Sequence, residues 1–300
     1  MSTPTVSALG VGLHDDVPAA VYHADPCEEP SLSSSLACTL HYHSPAHAWL
    51  QHPRLNPNHE DRESTPAMTQ GTLVHALLSN DADSIVIGPY DNYKAAAARE
   101  WRDSVAASGK TPVLEKDTEG AHEIADSIRR HAGAGYDNDP FRLKPGVNAR
   151  SEVTGIWQEG EAWFRLRADL LVLDPTGYAD LWDWKVTADI SDRAIERRIA
   201  DMHYAFKQAF YLRGLRQLLP QYRGRMTNAL VFVENSKPYT VRRVFLSEAY
   251  MHHADREVSR ACDLWTDCMK SGTWGDPRNG LSTTIDLPAW LVEDDAITIE

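Results

Sequence analysis

The stretch ADLWDWKVTAD, residues 179–189, sets acids and a lysine into a segment whose alternation reads as a strand. Side chains alternate faces along a strand, so Asp183 and Lys185 share one face while Trp182 and Trp184 share the other. Ionised groups are costly to bury in a sheet unless they are paired or bound to metal. The preceding strand-like run, AWFRLRADLLVLD, turns back through DPTG at 174–177. A four-residue loop there pairs 173 with 178 and brings Asp169 roughly opposite Asp183. Two carboxylates and an ammonium then crowd one patch. Carboxylates this close repel, and a divalent cation with hard oxygen ligands is what holds both ionised. Such an ion acidifies a bound water and stabilises the charge of a phosphodiester under attack, with Lys185 placed to position or activate the nucleophile. The chemistry this suits is phosphodiester hydrolysis. Taken alone, D-x-K also fits a surface hairpin with an Asp–Lys ion pair.

The elements that must position these residues follow from the same patterning. LSSSLACTLHYHSPAHAWLQH offers Ser33, Ser34 or Ser35 as a helix N-cap, with Pro45 interrupting the helix. TPAMTQGTLVHALLSN puts Met68, Leu73, Ala76 and Leu77 on roughly one helical face, with His75 on the same helix. NYKAAAAREWRDSVAAS reads as a helix ending before Gly109, and 115–133 as another. HAGAGYDNDP is a loop and a candidate boundary. From 150 the period becomes two, and SEVTGIW, AWFRLRADLLVLD and YADLWDWKVT read as a strand meander. A helical stretch (190–219), the strands NALVFVEN and YTVRRVFL, and a helix over 247–271 follow. The order predicts an α/β (α+β) fold, a mixed β-sheet core flanked by helices with a helical N-terminal elaboration. We expect a single domain over 1–300: a mainly helical part (1–140), the catalytic sheet and helix (150–246), and a C-terminal helix and tail (247–300).

With 42% hydrophobic residues in 300, the chain can bury a substantial core. No apolar run of ~18 residues is present and MSTPTVSALGVGLHDD lacks the layout of a secretory signal, so no membrane span and a cytoplasmic location are expected. Cys27, Cys38, Cys262 and Cys268 are too sparse for a disulfide scaffold. A four-cysteine iron–sulfur cluster joining the two ends of the chain is a further possibility for them, although no C-x-x-C pair occurs. The net charge of −13 disfavours a nucleic-acid partner at face value. Its distribution weakens that objection: residues 150–225 hold 12 Lys+Arg and 11 Asp+Glu, the rest of the chain 18 and 32. A locally basic groove on an acidic body is compatible with phosphate contacts.

These motifs resemble the PD-(D/E)XK nuclease superfamily: Asp169 in RLRADLL matches its first acidic strand residue, and Asp183-Trp184-Lys185 its D/E-x-K element. Within it the chain is similar to the C-terminal nuclease of exodeoxyribonuclease VIII (RecE) and its phage relatives. DDVPAAVYHADP with SLSSSLACTLHYHSPAHAW resembles that family's opening, GTLVHALL its G-T-x-x-H helix, SEVTGIW its upstream acidic strand, and LPAWL its closing Leu-Pro-x-Trp. The resemblance implies a restriction-endonuclease-like core. It implies metal binding by His75, Asp169, Asp183 and the backbone carbonyl of Trp184, with Glu152 as the upstream acid and Lys185 assisting the attacking water. It implies Mg²⁺, with Mn²⁺ able to substitute. The implied substrate is the end of linear double-stranded DNA, degraded 5′ to 3′ to leave a 3′ single strand for a RecT-like annealing protein in phage or prophage recombination. The implied assembly is a toroidal homo-oligomer in a bacterial cytoplasm.

One departure stands out. The family's Q-x-x-x-Y becomes FKQAFY, so Lys207 stands four residues before Tyr211 and the glutamine moves to Gln208. Residues i and i+4 share a helix face, which favours Lys207 at the site, with Gln208 reaching in as the alternative. Arg165 and Arg167 alternate with Asp169 and are candidates to hold a phosphate, or else to pair with a neighbouring carboxylate. Ser35 is a candidate for contact with a DNA 5′ end or for a helix cap. Glu152 fits either a metal role or a plain strand-edge charge. Two other functions compete: a RecB-like or CRISPR-associated nuclease with an iron–sulfur cluster, and a DNA-end-binding module without catalysis.

Overall fold

The computed structural model describes residues 8–59, 66–79, 84–108, 110–136 and 139–286, the side chains of 66–69 and 117 excepted. The predicted closing match LPAWL, the helix-ending Gly109 and the Met68 side chain lie outside the described residues. The chain opens with β1 (Gly12–His14), α1 (Ala19–His23) and β2 (Ser31–Ser33), then α2 (Ser34–Cys38), a π-helical turn (Thr39–His43) and α3 (Pro45–Gln51). Ser33 is the cap of α2, its Oγ accepting from Leu36 N at 3.4 Å. Pro45 starts a helix where the sequence suggested an interruption: Ser44 caps α3, and proline takes the first helical position, where an N–H has no partner anyway.

The rest of the N-terminal part comprises α4 (Pro66–Leu78), β3 (Ile85–Gly88), α5 (Ala96–Ala107), β4 (Thr111–Leu114) and α6 (Ala121–His131). The N-terminal part as a whole is helical as expected but for the four short strands β1 to β4; β3 and β4 form a two-stranded parallel sheet of their own. Runs of three or four residues carry too few alternations to announce themselves.

The main sheet takes β5 (Asn148–Glu159), β6 (Ala162–Asp174) and β7 (Tyr178–Thr187), crosses through α7 (Asp192–Asp201) and α8 (Tyr204–Leu218), and continues with β8 (Met226–Glu234) and β9 (Val241–Val244) before α9 (Glu248–Ser271). Its order is β1-β5-β6-β7-β8-β9, with β2 against β6. The α7–α8 crossover makes β7 and β8 parallel, β2 is parallel to β6, and the other pairs are antiparallel. The turn between β6 and β7 is one residue shorter than expected. Asp174 pairs with Tyr178, because its Oδ1 accepts from Thr176 N and Oγ1 and Gly177 takes φ +97°.

Two features of this sheet create a site. β5 lines one edge of β6 throughout, and the other edge is divided between β7, paired with Leu170–Asp174, and β2, paired with Trp163–Arg165. Beyond Trp182, β7 pairs with β8 alone, so β6 and β7 part in a fork. The pleat also inverts there. Phe164, Leu166 and Ala168 join Leu171 and Leu181 in the core under α8 and α9, whereas Leu170 and Val172 join Trp182 and Trp184 in the core under α4 and α6. On β5 the inversion falls at Glu152, which takes the left-handed φ of +50°. Non-glycine residues hold that conformation at a cost that surrounding structure must offset.

Candidate active site

The register gathers three acids into one row across three strands. Ser151–Leu170 and Val153–Ala168 pairing sets Glu152 opposite Asp169, and Leu170–Trp182 pairing sets Asp183 next in line. The shorter turn thus improves on the expected alignment, by one residue. His75 comes over the row from α4: its Nδ1 lies 3.5 Å from Glu152 Oε1 and 3.6 Å from Asp169 Oδ1, and its Nε2 lies 3.3 Å from the carbonyl oxygen of Trp184. Donor atoms of His75, Glu152 and Asp169 all fall within 4.8 Å of one another.

Neighbours orient each group. Trp184 N donates to Asp169 Oδ2 at 2.9 Å, a side-chain bond spanning the fork where the ladder has stopped. Arg167 donates from Nε to Glu152 Oε2 at 2.7 Å and from Nη1 to Val17 O at 2.6 Å. Asp183 accepts from Lys185 Nζ at 2.5 Å and from Gln208 Nε2 at 2.9 Å. Lys185 Nζ also stands 5.0 Å from the ring centre of Tyr204.

Three carboxylates against two fixed cations leave the cluster short of positive charge, and the titrations follow. Burial, aided by Asp169, pushes the Asp183 carboxyl up to about 7 although Lys185 pulls the other way. Burial alone would depress His75, yet Asp169 and Glu152 hold it up at about 9. Lys185 likewise rises above its ordinary value, since Asp183 and Asp169 outweigh its burial. Glu152 moves down against its burial, held by His75 and Arg167. A divalent ion fits this donor set: one imidazole nitrogen with two carboxylates within reach, while the Trp184 carbonyl meets the other ring nitrogen. His75 would give up its proton to bind it.

Asp183, expected as a direct ligand, stands beside that three-residue cluster and is committed to Lys185 and Gln208. Glu152 stands within it. The expectation that Lys207 rather than Gln208 meets the catalytic acids is corrected: Gln208 is fully buried against Asp183, and Lys207 is half-buried with its ammonium 5.6 Å from the Tyr204 ring centre. A buried amide can donate to a carboxylate without carrying charge, whereas a second ammonium there would face Lys185. Tyr211, one turn further along α8, is half-buried, and burial lifts its hydroxyl well above the ordinary range.

Arg165 does not share the surroundings of Asp169, because the pleat inverts between them. It is 2% exposed, pairs with Asp25 at 3.1 Å and donates to Ser31 Oγ at 2.7 Å, which is the ion-pair alternative. Arg167 pairs with Glu152. Ser35 is exposed on the first turn of α2 and is not its cap. The four cysteines are free and buried, with burial pushing the thiols of Cys27, Cys38 and Cys262 up to about 12. Cys27 packs with Ile156 and Trp163, in a cluster separate from the one that holds Cys38 and Cys262, and among the described residues no cysteine belongs to a group placed to share a single metal ion. Tyr204 escaped the sequence reading; its spacing of four from Gln208 on one helix was the available signal.

A family model described as a PDDEXK-like domain of unknown function (DUF3799) matches residues 34–281. Among solved structures, a candidate exonuclease from Eubacterium rectale is similar with a TM-score of 0.53 at 14% identity, over 90% of this chain and 94% of that one. An alkaline exonuclease from Laribacter hongkongensis aligns at 16% identity over 68% of this chain and 95% of its own, with a TM-score of 0.26. The first likeness is one of fold; the second is too low to carry an argument. No curated protein matches the chain.

Proposed function

This chain belongs to the family of PDDEXK-like domains, and on that premise we propose that it is a divalent-metal-dependent exodeoxyribonuclease acting on the ends of linear double-stranded DNA. The observation that carries the reading is the row Glu152, Asp169 and Asp183 at the strand fork, with His75 above it and Lys185 beside it. His75, Glu152 and Asp169 would hold the ion, with the Trp184 carbonyl and Asp183 adjoining; a bound Mg²⁺ or Mn²⁺ supplies an acidified water and charge stabilisation on phosphate. Lys185, held by Asp183, positions the nucleophile and meets the phosphate. Gln208 fixes Asp183, and Arg167 fixes Glu152. Family membership and the exonuclease description of the Eubacterium rectale structure support the same activity.

The finer features rest on the motif resemblance. Degradation runs 5′ to 3′ and leaves a 3′ single strand for a RecT-like annealing protein in phage or prophage recombination. The enzyme works in the bacterial cytoplasm as a toroidal homo-oligomer, and encirclement of the duplex offsets the weak electrostatic attraction of an acidic chain. Among the described residues no helix is long and apolar enough to cross a membrane. The test is digestion of a duplex labelled at one 5′ end, with and without Mg²⁺, beside a closed circle. Metal-dependent release from the linear DNA alone is expected, and undiminished release by Asp183→Asn would refute the assignment.

A further inference from the structure

We propose that the surface leading away from Lys185 along the start of α8 binds an unpaired strand of DNA, with Lys207 taking a phosphate and the stacked His203–Tyr42 pair taking a base. The proposal rests on the nuclease reading and names a segment of substrate that the catalytic row does not touch.

Three observations converge on it. First, Lys207 is half-buried, and among the described residues its ammonium meets the face of Tyr204 at 5.6 Å with no carboxylate within ion-pair distance. Burial lowers its pKa. A partly desolvated ammonium whose neighbour is a π-face rather than an acid favours an anion that arrives with the ligand. The same ring carries Lys185 at 5.0 Å, so two ammoniums flank one tyrosine.

Second, His203 is the N-cap residue of α8, Lys207 N donates to its carbonyl oxygen at 3.1 Å, and burial, helped by the nearby Lys207 ammonium, holds the imidazole below its ordinary pKa. Tyr42 stacks on the His203 ring with centroids 3.7 Å apart and planes 9° from parallel. Both rings are half-buried.

Third, the stack is built rather than incidental. His203 holds a left-handed φ of +53° at the N-cap of α8. Tyr42 is fixed by its hydroxyl donating to Glu257 at 2.9 Å and by edge contact with Phe206 at 5.6 Å. Glu257, the acid that would repel a phosphate, faces His41 at 3.5 Å and His253 at 3.6 Å. From the catalytic lysine outward the groups therefore run ammonium, ring, ammonium, ring pair. Unpaired nucleotides, with a phosphate and a π-face in each repeat, complement that alternation; a duplex keeps its bases inside.

The test is fluorescence anisotropy of the full-length protein with a labelled oligo(dT) in EDTA, across a salt series, beside a blunt hairpin duplex. Lys207→Met should weaken oligo(dT) binding and reduce the slope of log K against log salt by about 0.7, one phosphate contact on a single strand. His203→Asn, chosen because asparagine tolerates left-handed backbone, should weaken it roughly five- to a hundredfold with the slope unchanged. The hairpin should be unaffected by His203→Asn. Unchanged oligo(dT) affinity in both Lys207→Met and His203→Asn, or equal losses for oligo(dT) and hairpin, would overturn the proposal. Because these readouts need no hydrolysis, they are separable from the nuclease reading, which stands or falls on Asp183→Asn.

Discussion

On the proposed function, single residues at the fork divide into those that touch the reacting groups and those that aim them, and the two kinds should fail differently. Lys185 belongs to the first kind. Replacing it with methionine keeps length and packing but removes the ammonium that Asp183 and Tyr204 hold in place. We expect kcat for nucleotide release to fall roughly 10²–10⁴-fold with little change in KM, as for other groups that assist proton transfer or carry transition-state charge; steady-state kinetics on linear duplex at saturating Mg²⁺ provides the check. Arg167 belongs to the second kind. It fixes Glu152 from behind and is itself tied to Val17 O, so Arg167→Met should raise the Mg²⁺ or Mn²⁺ concentration needed for half-maximal activity by roughly 10–100-fold, with maximal rate largely restored at high metal. A metal titration with an unchanged midpoint would show that Glu152 needs no such support.

At the scale of strands and helices, the alternation that reveals β5, β6 and β7 in the sequence also hides what they do. A period of two predicts that Arg165, Arg167 and Asp169 share a face, and they would if the pleat were continuous. The inversion at Glu152 and Asp169 comes from one left-handed residue and from β2 taking over the edge that β7 leaves, and neither has a local signature. The helix periodicity of α8 was equally visible, but which of Lys207 and Gln208 faces Asp183 depends on how the helix rolls on the sheet. That roll is set by Gly214, where a Cβ would lie 2.6 Å from the buried ring of Trp157. The D-x-K element, His75 on a helix and the meander were legible because each is fixed by spacing within one element. The join between α8 and β5 is reinforced by Arg213, which donates to both carboxylate oxygens of Glu159 at 2.7 and 2.6 Å. Charge-assisted bidentate bonds of this kind imply that Glu159→Gln costs about 1–2 kcal/mol at pH 7 in denaturant unfolding. Arg213 holds the Glu159 carboxyl below its ordinary value despite burial. The contribution is therefore present above the unfolded pKa of ~4.3 and lost as pH falls through the lowered folded value, so the two proteins should converge in stability once the pH is below both.

Over the whole molecule, the N-terminal segment is what closes the catalytic sheet, since β1 adds to β5 and β2 occupies the edge of β6 that forces the fork open. Its attachment is polar and almost dry. The Asp25 side chain is fully buried, accepts from Ser31 N at 2.9 Å and Ser31 Oγ at 2.7 Å, and faces Arg165 at 3.1 Å. His52 lies 3.4 Å away, but burial lowers it to about 4, so at neutral pH it supplies no positive charge; Arg165 is the buried cation, and the more exposed Arg54 reaches the same carboxylate at 3.8 Å. Tyr22 lies under both Arg165 and Arg167, with guanidinium-to-centroid distances of 5.6 and 5.9 Å, which connects this anchor to the residue that aims Glu152. Asp25→Asn removes the counter-charge and leaves a buried guanidinium uncompensated, a change that costs about 3–5 kcal/mol and should lower Tm by roughly 10 °C. If the loss comes from the stranded charge rather than from the missing acid, removing the guanidinium as well should return part of it. Asp25→Asn/Arg165→Met should be more stable than Asp25→Asn alone, with an interaction energy of roughly 1–3 kcal/mol from the double-mutant cycle. Additive losses in calorimetry would show instead that the Ser31 bonds, and not the ion pair, hold the segment to the sheet.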